Sequence, residues 1–273
     1  MPGTLYIVAT PIGNLEDVTF RAVRILGEVD RIACEDTRQT RKLLDRYGIS
    51  KPLVSYHEHN EASRSAELLQ DLQAGQNIAL VSDAGTPLIS DPGYRLVKSA
   101  RDRGVQVSPI PGPAAFLASL SASSLPTDSF LFLGFLPPKK GQRRKVLENW
   151  KSIPLTLVCY EAPHRIIETL EDIEEILGPR QVVLARELTK IHEEFVRGTP
   201  SEVTGALAKQ SSLRGEMTLL VAKGESTEAN DEPIEDAVRQ LVESGVPRMQ
   251  ALKTVAQQRG LSKRAVYKQL NER

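Results

Sequence analysis

Short apolar runs alternating with helix-patterned segments constrain this chain more than any other feature. Residues 5–9, Leu-Tyr-Ile-Val-Ala, are continuously apolar, as a strand buried on both faces must be. Further strands are predicted over residues 31–34, 53–57, 78–81 and 105–110. Between them, helical patterns cover residues 37–47, 61–74 and 94–103, with Gly48, Gly75 and Gly104 as stop signals. An earlier helix is expected from an Asp17 cap through Val18, Ala22, Val23 and Leu26, with Gly27 as its stop. This rhythm predicts an α/β domain with a largely parallel sheet.

A second block has the same ingredients more closely spaced. A small-residue helix is predicted over residues 114–122, and an acidic amphipathic helix over residues 166–177, closed by Gly178-Pro179. Strands are predicted over residues 130–133, 155–160, 182–185, 194–197 and 217–222, with antiparallel pairing expected because the connections are short. The segment 137–141, Pro-Pro-Lys-Lys-Gly, reads as a loop. Residues 223–233 lack apolar periodicity and read as a linker, and three short helical patterns follow at 234–244, 248–259 and 263–271. The expected organisation is an N-terminal α/β domain at 1–111, a second α/β domain at 112–224 and a helical module at 234–273.

Composition narrows the function classes. The chain has 273 residues, 40% of them hydrophobic, which suffices for a core without disulfide or metal staples. Its two cysteines, Cys34 and Cys159, lie in apolar runs and read as buried reduced thiols. No basic leader with a long apolar stretch opens the chain, and no run is long enough to cross a membrane, so a cytoplasmic protein is expected. Thirty-five basic residues balance thirty-five acidic ones, giving a formal net charge of zero, so any nucleic-acid contact has to be a local basic patch.

Three Gly/Pro-rich loops follow predicted strands: residues 10–14 (Thr-Pro-Ile-Gly-Asn), 82–93 (Ser-Asp-Ala-Gly-Thr-Pro-Leu-Ile-Ser-Asp-Pro-Gly) and 109–114 (Pro-Ile-Pro-Gly-Pro-Ala). In an open α/β sheet, ligands bind outside the carboxyl ends of the strands. Glycine admits close backbone approach and proline fixes the backbone. These loops suit main-chain recognition of a small neutral or zwitterionic ligand, against the plainer reading of tight turns. There is no phosphate-binding loop of the G-x-x-x-x-G-K-[ST] type, no G-x-G-x-x-G after the first strand and no G-x-S-x-G elbow.

Other polar clusters leave alternatives open. His57 and His59 share a face if the strand continues, as a metal pair, a substrate-facing rim or a solvated strand end. Asp36 or Thr37 is either a helix cap or part of a polar rim with Glu35 and Arg38. Residues 139–145 carry Lys139, Lys140, Arg143, Arg144 and Lys145 without an acid and suit phosphate contact or plain solvated surface. Residues 246–273 carry seven basic residues and one acid, with Ala256, Gly260 and Val266 at helix-turn-helix spacing and Ser262 as a cap. A small docking bundle fits that segment as well.

Taken in order, LYIVATPIGNLEDVT, ACEDTRQT, HEHNE, LVSDAGTPLISDPGY, PIPGPAA, GFLPPKKGQRR, YEAPHR, LARELTK and RGEMTLLV resemble a family of bacterial small-subunit ribosomal RNA methyltransferases. That family belongs to the tetrapyrrole-methylase-like superfamily, the class III S-adenosylmethionine-dependent methyltransferases. The resemblance runs over residues 4 to about 270. It implies two α/β domains with S-adenosyl-L-methionine in the cleft between them, a homodimer, and 2′-O-methylation of a cytidine ribose in the decoding region of 16S ribosomal RNA within the small subunit. It also implies a cofactor site of Pro11, Asp83, Gly85, Thr86, Pro87, Ser90, Ala114, Tyr160, Glu187 and Thr218. The first loop reads Pro-Ile-Gly-Asn here, poorer in glycine than the superfamily pattern.

On this reading no metal is required, because the sulfonium activates its own methyl group. The protein aligns the ribose oxygen with the S–CH₃ bond and supplies a base. Asp36, His57, His59 and Asp83 are the candidate bases, and the Asp36/His59 edge is preferred. Arg38, Lys139, Lys140, Arg143, Arg144, Lys263 and Arg264 are the expected RNA-phosphate contacts. Two rival functions remain: a methylase of a small tetrapyrrole-like molecule, and a nucleic-acid-binding regulator without turnover.

Overall fold

The computed structural model describes residues 1–210, 212–224, 233–258, 261–262, 265–267 and 270. It divides into a large unit, Met1–Ala222, and a small one, Lys223–Arg273.

The large unit opens with strand β1 (Thr4–Val8), a 3-10 turn (Leu15–Asp17) and helix α1 (Phe20–Glu28). Asp17 does not cap α1. Asn14 caps the 3-10 turn, the helix restarts at Thr19, whose hydroxyl accepts from the Ala22 amide, and Gly27 sits inside the helix. Then come β2 (Arg31–Cys34), α2 (Thr37–Arg46), β3 (Leu53–Ser55), α3 (Glu61–Gln73), β4 (Ile78–Leu80), α4 (Tyr94–Asp102) and β5 (Gln106–Ile110). These strands form one five-stranded sheet in the order β3-β2-β4-β1-β5, parallel throughout. Both faces are covered: Ile25, Leu26, Ile32 and Leu44 pack on one side, and Leu68, Leu72, Leu80 and Leu96 on the other. Each such side chain contributes about 1.5–3 kcal/mol by leaving water.

The second half continues with α5 (Ala115–Ala122), β6 (Phe130–Phe135), α6 (Lys140–Trp150), β7 (Thr156–Glu161), α7 (Ile166–Leu177), β8 (Val182–Arg186), β9 (Glu194–Gly198), α8 (Pro200–Leu207) and β10 (Met217–Val221). The second sheet runs β6-β7-β10-β8-β9. Its pairs are antiparallel except β6 with β7, which is parallel. That parallel pair departs from the expectation because α6 supplies a full crossover where the sequence reads as a loop. Ile12, from the loop after β1, packs on Ala185 and Leu188 of the second half, with Ala115 and Ala118 of α5 beside them. Cys34 and Cys159 are free and buried, and burial raises the proton affinity of both thiols.

The small unit contains α9 (Ile234–Glu243) and α10 (Arg248–Gln258) around Val238, Leu252, Val255 and Val266. The Ser262 hydroxyl accepts from the Ala265 amide, an N-terminal cap on the helical residues that follow. Arg259, Gly260, Lys263, Arg264, Lys268 and Arg273 lie outside the described residues. No helix among the described residues is long and apolar enough to cross a membrane.

Candidate active site

The parallel sheet delivers its three Gly/Pro loops to one edge, and hydrogen bonds tie them together. Thr10 and Gly85 form an isolated antiparallel bridge: the Thr10 amide donates to the Gly85 carbonyl at 2.8 Å, and the Gly85 amide returns to the Thr10 carbonyl at 3.0 Å. The Thr10 hydroxyl donates to the Ser82 carbonyl at 3.1 Å, and the Thr86 hydroxyl to the Pro113 carbonyl at 3.0 Å. Gly85 holds φ +85°, a conformation costly for any side chain. At Gly112 a Cβ would come within 2.9 Å of the Ala9 Cβ, so glycine lets the third loop cross the first. Leu88 and Ser90 also have positive φ, 72° and 66°. Non-glycine residues in this region cost on the order of 1–3 kcal/mol each and concentrate at ligand sites.

Below these loops lies a cavity of about 380 Å³, within the range of small-molecule sites. The first half lines it with Ile12, the loop 83–86, Ile89, Ser90, Asp91, Ala114 and Ala115; the second half contributes Phe135, Tyr160–Pro163, Leu188 and Gly215–Thr218. Of the expected cofactor residues, Asp83, Gly85, Thr86, Ser90, Ala114, Tyr160 and Thr218 therefore share this wall. Pro11 and Pro87 are buried in their loops without lining it. Glu187 also stands behind the wall: its carboxylate accepts from Lys190 at 2.8 Å and from the Glu216 amide at 3.0 Å. The Lys190 ammonium holds the Glu187 carboxyl below its usual range.

The wall has two characters. The Tyr160 ring packs against Phe132 and Phe135 at centroid distances of 5.1 and 5.5 Å, offering flat apolar surface. Four carboxylates, Asp83, Asp91, Glu161 and Glu216, also line the cavity, and among the described lining residues there is no Lys or Arg. Such a site suits a cationic or zwitterionic ligand with an aromatic group and repels a phosphate.

The preferred Asp36/His59 edge lies outside this cavity. Asp36 is the N-cap of α2; its carboxylate accepts from the Arg38 amide at 2.8 Å and pairs with the Arg38 guanidinium at 2.7 Å. Those bonds hold its carboxyl down at about 2, far below a useful base. β3 stops at Ser55 because Asn60 turns the chain: the His57 amide donates to Asn60 Oδ1 at 2.9 Å. His57 and His59 therefore share no strand face; their rings meet edge-on at 5.8 Å, and His59 is exposed.

The basic segment is also different from its sequence reading. Residues 140–145 open helix α6, whose periodicity turns Arg143 and Leu147 inward onto the acidic α7. Arg143 is fully buried and donates to Asp172 Oδ2 at 2.7 Å. Arg144 donates to Asp172 Oδ1 at 3.1 Å and to both oxygens of Glu175. Neither presents a free fork to phosphate. Lys139 and Lys140 stay exposed at the start of the helix, and Arg38 is exposed beside Asp36.

Residues 4–204 match the family described as tetrapyrrole (corrin/porphyrin) methylases. The chain belongs to the tetrapyrrole methylase family. Among its relatives, the ribosomal RNA small subunit methyltransferase I of Halalkalibacterium halodurans is 52% identical, over 97% of this chain and 93% of that protein. The protein of the same name in Bacillus subtilis strain 168 is 47% identical, over 97% of this chain and 93% of that one. Among solved structures, a Thermus thermophilus uroporphyrin-III C-methyltransferase complexed with S-adenosylhomocysteine superposes with TM-score 0.56 at 21% identity, covering 80% of this chain and 97% of that one. This last likeness shows the tetrapyrrole methylase fold, two α/β halves with helices.

Sequence reading missed Asp91 and Glu161 as lining residues of this tetrapyrrole methylase. Asp91 ends the same loop that supplies Asp83 to Ser90, so loop membership was the available signal. Glu161 lies in YEAPHR, and Arg165, four residues on across the turn into α7, pairs with its carboxylate.

Proposed function

We propose that this chain transfers the methyl group of S-adenosyl-L-methionine to the ribose 2′-oxygen of a cytidine in the decoding region of 16S ribosomal RNA, acting as a cytoplasmic homodimer on the small ribosomal subunit. The observation that carries the cofactor assignment is the cavity wall of carboxylates and aromatic surface, with no Lys or Arg among its described residues. It fits a ligand that joins a sulfonium and an ammonium to a flat base. The RNA substrate is supported by the name shared by relatives that span nearly the whole chain.

The residues divide the work by position. Tyr160 and Met217 offer apolar surface to the base, and the tied loops offer main-chain groups at fixed positions. Asp83 places negative charge where the cofactor's cationic groups would sit, and Asp91 lines the same wall. Bound S-adenosylmethionine supplies the electrophilic methyl group. The protein supplies alignment, worth up to about 7–11 kcal/mol, and removal of the hydroxyl proton. Lys139, Lys140 and Arg38 are exposed cations for RNA phosphates, and Lys263 and Arg264 are assigned the same role from sequence.

The test incubates the protein with S-adenosylmethionine and small subunits from cells lacking it, then maps ribose methylation. One new 2′-O-methyl cytidine in the decoding region is expected. A methyl group on a base, or on uroporphyrinogen offered in parallel, would overturn this reading.

A further inference from the structure

Each carboxylate on the cavity wall can be asked what holds it. Asp83 Oδ1 accepts the Asp36 amide at 2.9 Å. Glu161 is buried, accepts from the Ala162 amide and the Thr169 hydroxyl, and is paired with Arg165. Glu216 pairs with Lys190 at 2.7 Å. Asp91 has no ion pair among the described residues; the Ser82 hydroxyl near it partly offsets its rise in proton affinity while donating to the Gly85 carbonyl at 3.3 Å. Asp83 and Asp91 are thus the wall carboxylates without an ion pair among the described residues, and of the two Asp91 is half-buried while Asp83 is exposed.

Its surroundings fix both its place and its proton affinity. The chain reaches Asp91 through the left-handed residues Leu88 and Ser90, and Pro92 follows it, so the loop has little freedom to swing it away. The ionisable groups within its electrostatic reach are Glu35 at the end of β2, Asp83 in its own loop and the Tyr160 phenol from β7. Burial, aided by the repulsion of Glu35 and Asp83, lifts its carboxyl to about 6. A group poised close to neutrality combines availability with strength as a base. Asp36, anchored near 2 by Arg38, does not.

We propose that Asp91 is the catalytic base of the methyl transfer, taking the 2′-hydroxyl proton as the ribose oxygen accepts the methyl group. The assignment rests on the cofactor and ribose substrate proposed above. In the step, the oxygen–hydrogen bond breaks toward Asp91 and the oxygen–carbon bond forms. The carbon–sulfur bond breaks and its electron pair returns to sulfur. A sulfonium, a carboxylate and an alcohol become a thioether, a carboxylic acid and a methyl ether, with no change in net charge. A sulfonium bound beside Asp91 would favour its ionised form and a neutral thioether would not, so Asp91 would gain proton affinity as the methyl group leaves.

Calorimetry separates the cofactor side from catalysis. Titrating S-adenosylmethionine at pH 6 in buffers of different ionisation enthalpy should release about half a proton per cofactor from the wild type and none from Asp91→Asn. At saturating cofactor, Asp91→Asn should methylate small subunits about 10²–10³-fold more slowly, while its S-adenosylmethionine affinity changes by less than about tenfold. Asp91→Glu should recover part of the rate. At saturating cofactor the wild-type rate should be level from about pH 6 upward and fall only below it, whereas the Asn variant should climb with pH without levelling. Proton release surviving in Asp91→Asn, or a rate within about threefold of wild type, would overturn the assignment. So would loss of rate matched by equal loss of cofactor affinity, which would make Asp91 a binding group. A wild type that releases the proton but methylates no ribose overturns the substrate reading instead, and the base assignment falls with it.

Discussion

The main-chain amide of Asp36 donates to Oδ1 of Asp83 across 2.9 Å, joining the end of β2 to the loop after β4. The Asp36 side chain faces the other way, onto the first turn of α2. A residue whose backbone serves the cavity and whose carboxylate serves a helix responds differently to different substitutions.

Asp36→Ala keeps the amide, so cofactor binding should survive while α2 loses its cap. The Asp36 carboxyl is depressed on folding, so its contribution is present above the unfolded value near 4 and is lost as pH falls toward its folded value of about 2. Urea unfolding of wild type and variant should differ at pH 7 and converge toward pH 2.

Asp91 carries the opposite sign. Its folded carboxyl is raised to about 6, so its protonated form favours folding below about pH 4 and its ionised form opposes folding above 6. After allowance for solvent screening, the ligand-free protein should lose on the order of 1–2 kcal/mol between those limits. Asp91→Asn should abolish that loss and unfold later than wild type at pH 8, in urea without cofactor.

Arg143 is buried against Asp172, and removing it takes away the buried partner of Asp172 Oδ2, leaving Arg144 on Oδ1. Arg143→Ala should cost about 3 kcal/mol in urea unfolding. Converting both to Arg143→Met and Asp172→Leu should recover most of it. A single variant as stable as wild type would show that Arg144 satisfies Asp172 alone.

Thr169 donates to the buried Glu161 carboxylate at 2.7 Å. Thr169→Val keeps the shape and removes the bond to a charged acceptor, at an expected cost of about 1.5–3 kcal/mol. Thermal unfolding at neutral pH reads this directly.

Gly85 bridges to Thr10 at φ +85°. Gly85→Ala should weaken S-adenosylmethionine binding measurably in calorimetry, with a stability loss of about 1 kcal/mol or more.

The parallel sheet was legible because short strands such as the apolar β4 alternate with helices that end at clear stop signals, and β2, like α7 in the second half, matches its expected limits. The Gly/Pro loops could be placed at the carboxyl edge because parallel order puts every such loop there. The polar clusters were harder. Whether Asp36 caps or catalyses depends on where Arg38 folds back, and local sequence holds both options. The segment 137–141 looked like a loop because Gly141 and Pro138 are poor helix formers, yet Leu147 and the acidic face of α7 draw its end and the basic run after it into α6. Tertiary pairing overrode local propensity there.

The last strand of the large unit, β10, sits in the middle of the second sheet, between β7 and β8. Met217 and Thr218 on that strand complete a wall that begins at Ile12. During synthesis the hollow therefore has no floor until some two hundred residues have left the ribosome, and a chain cut short before that point has neither a closed sheet nor a place to hold a methyl donor.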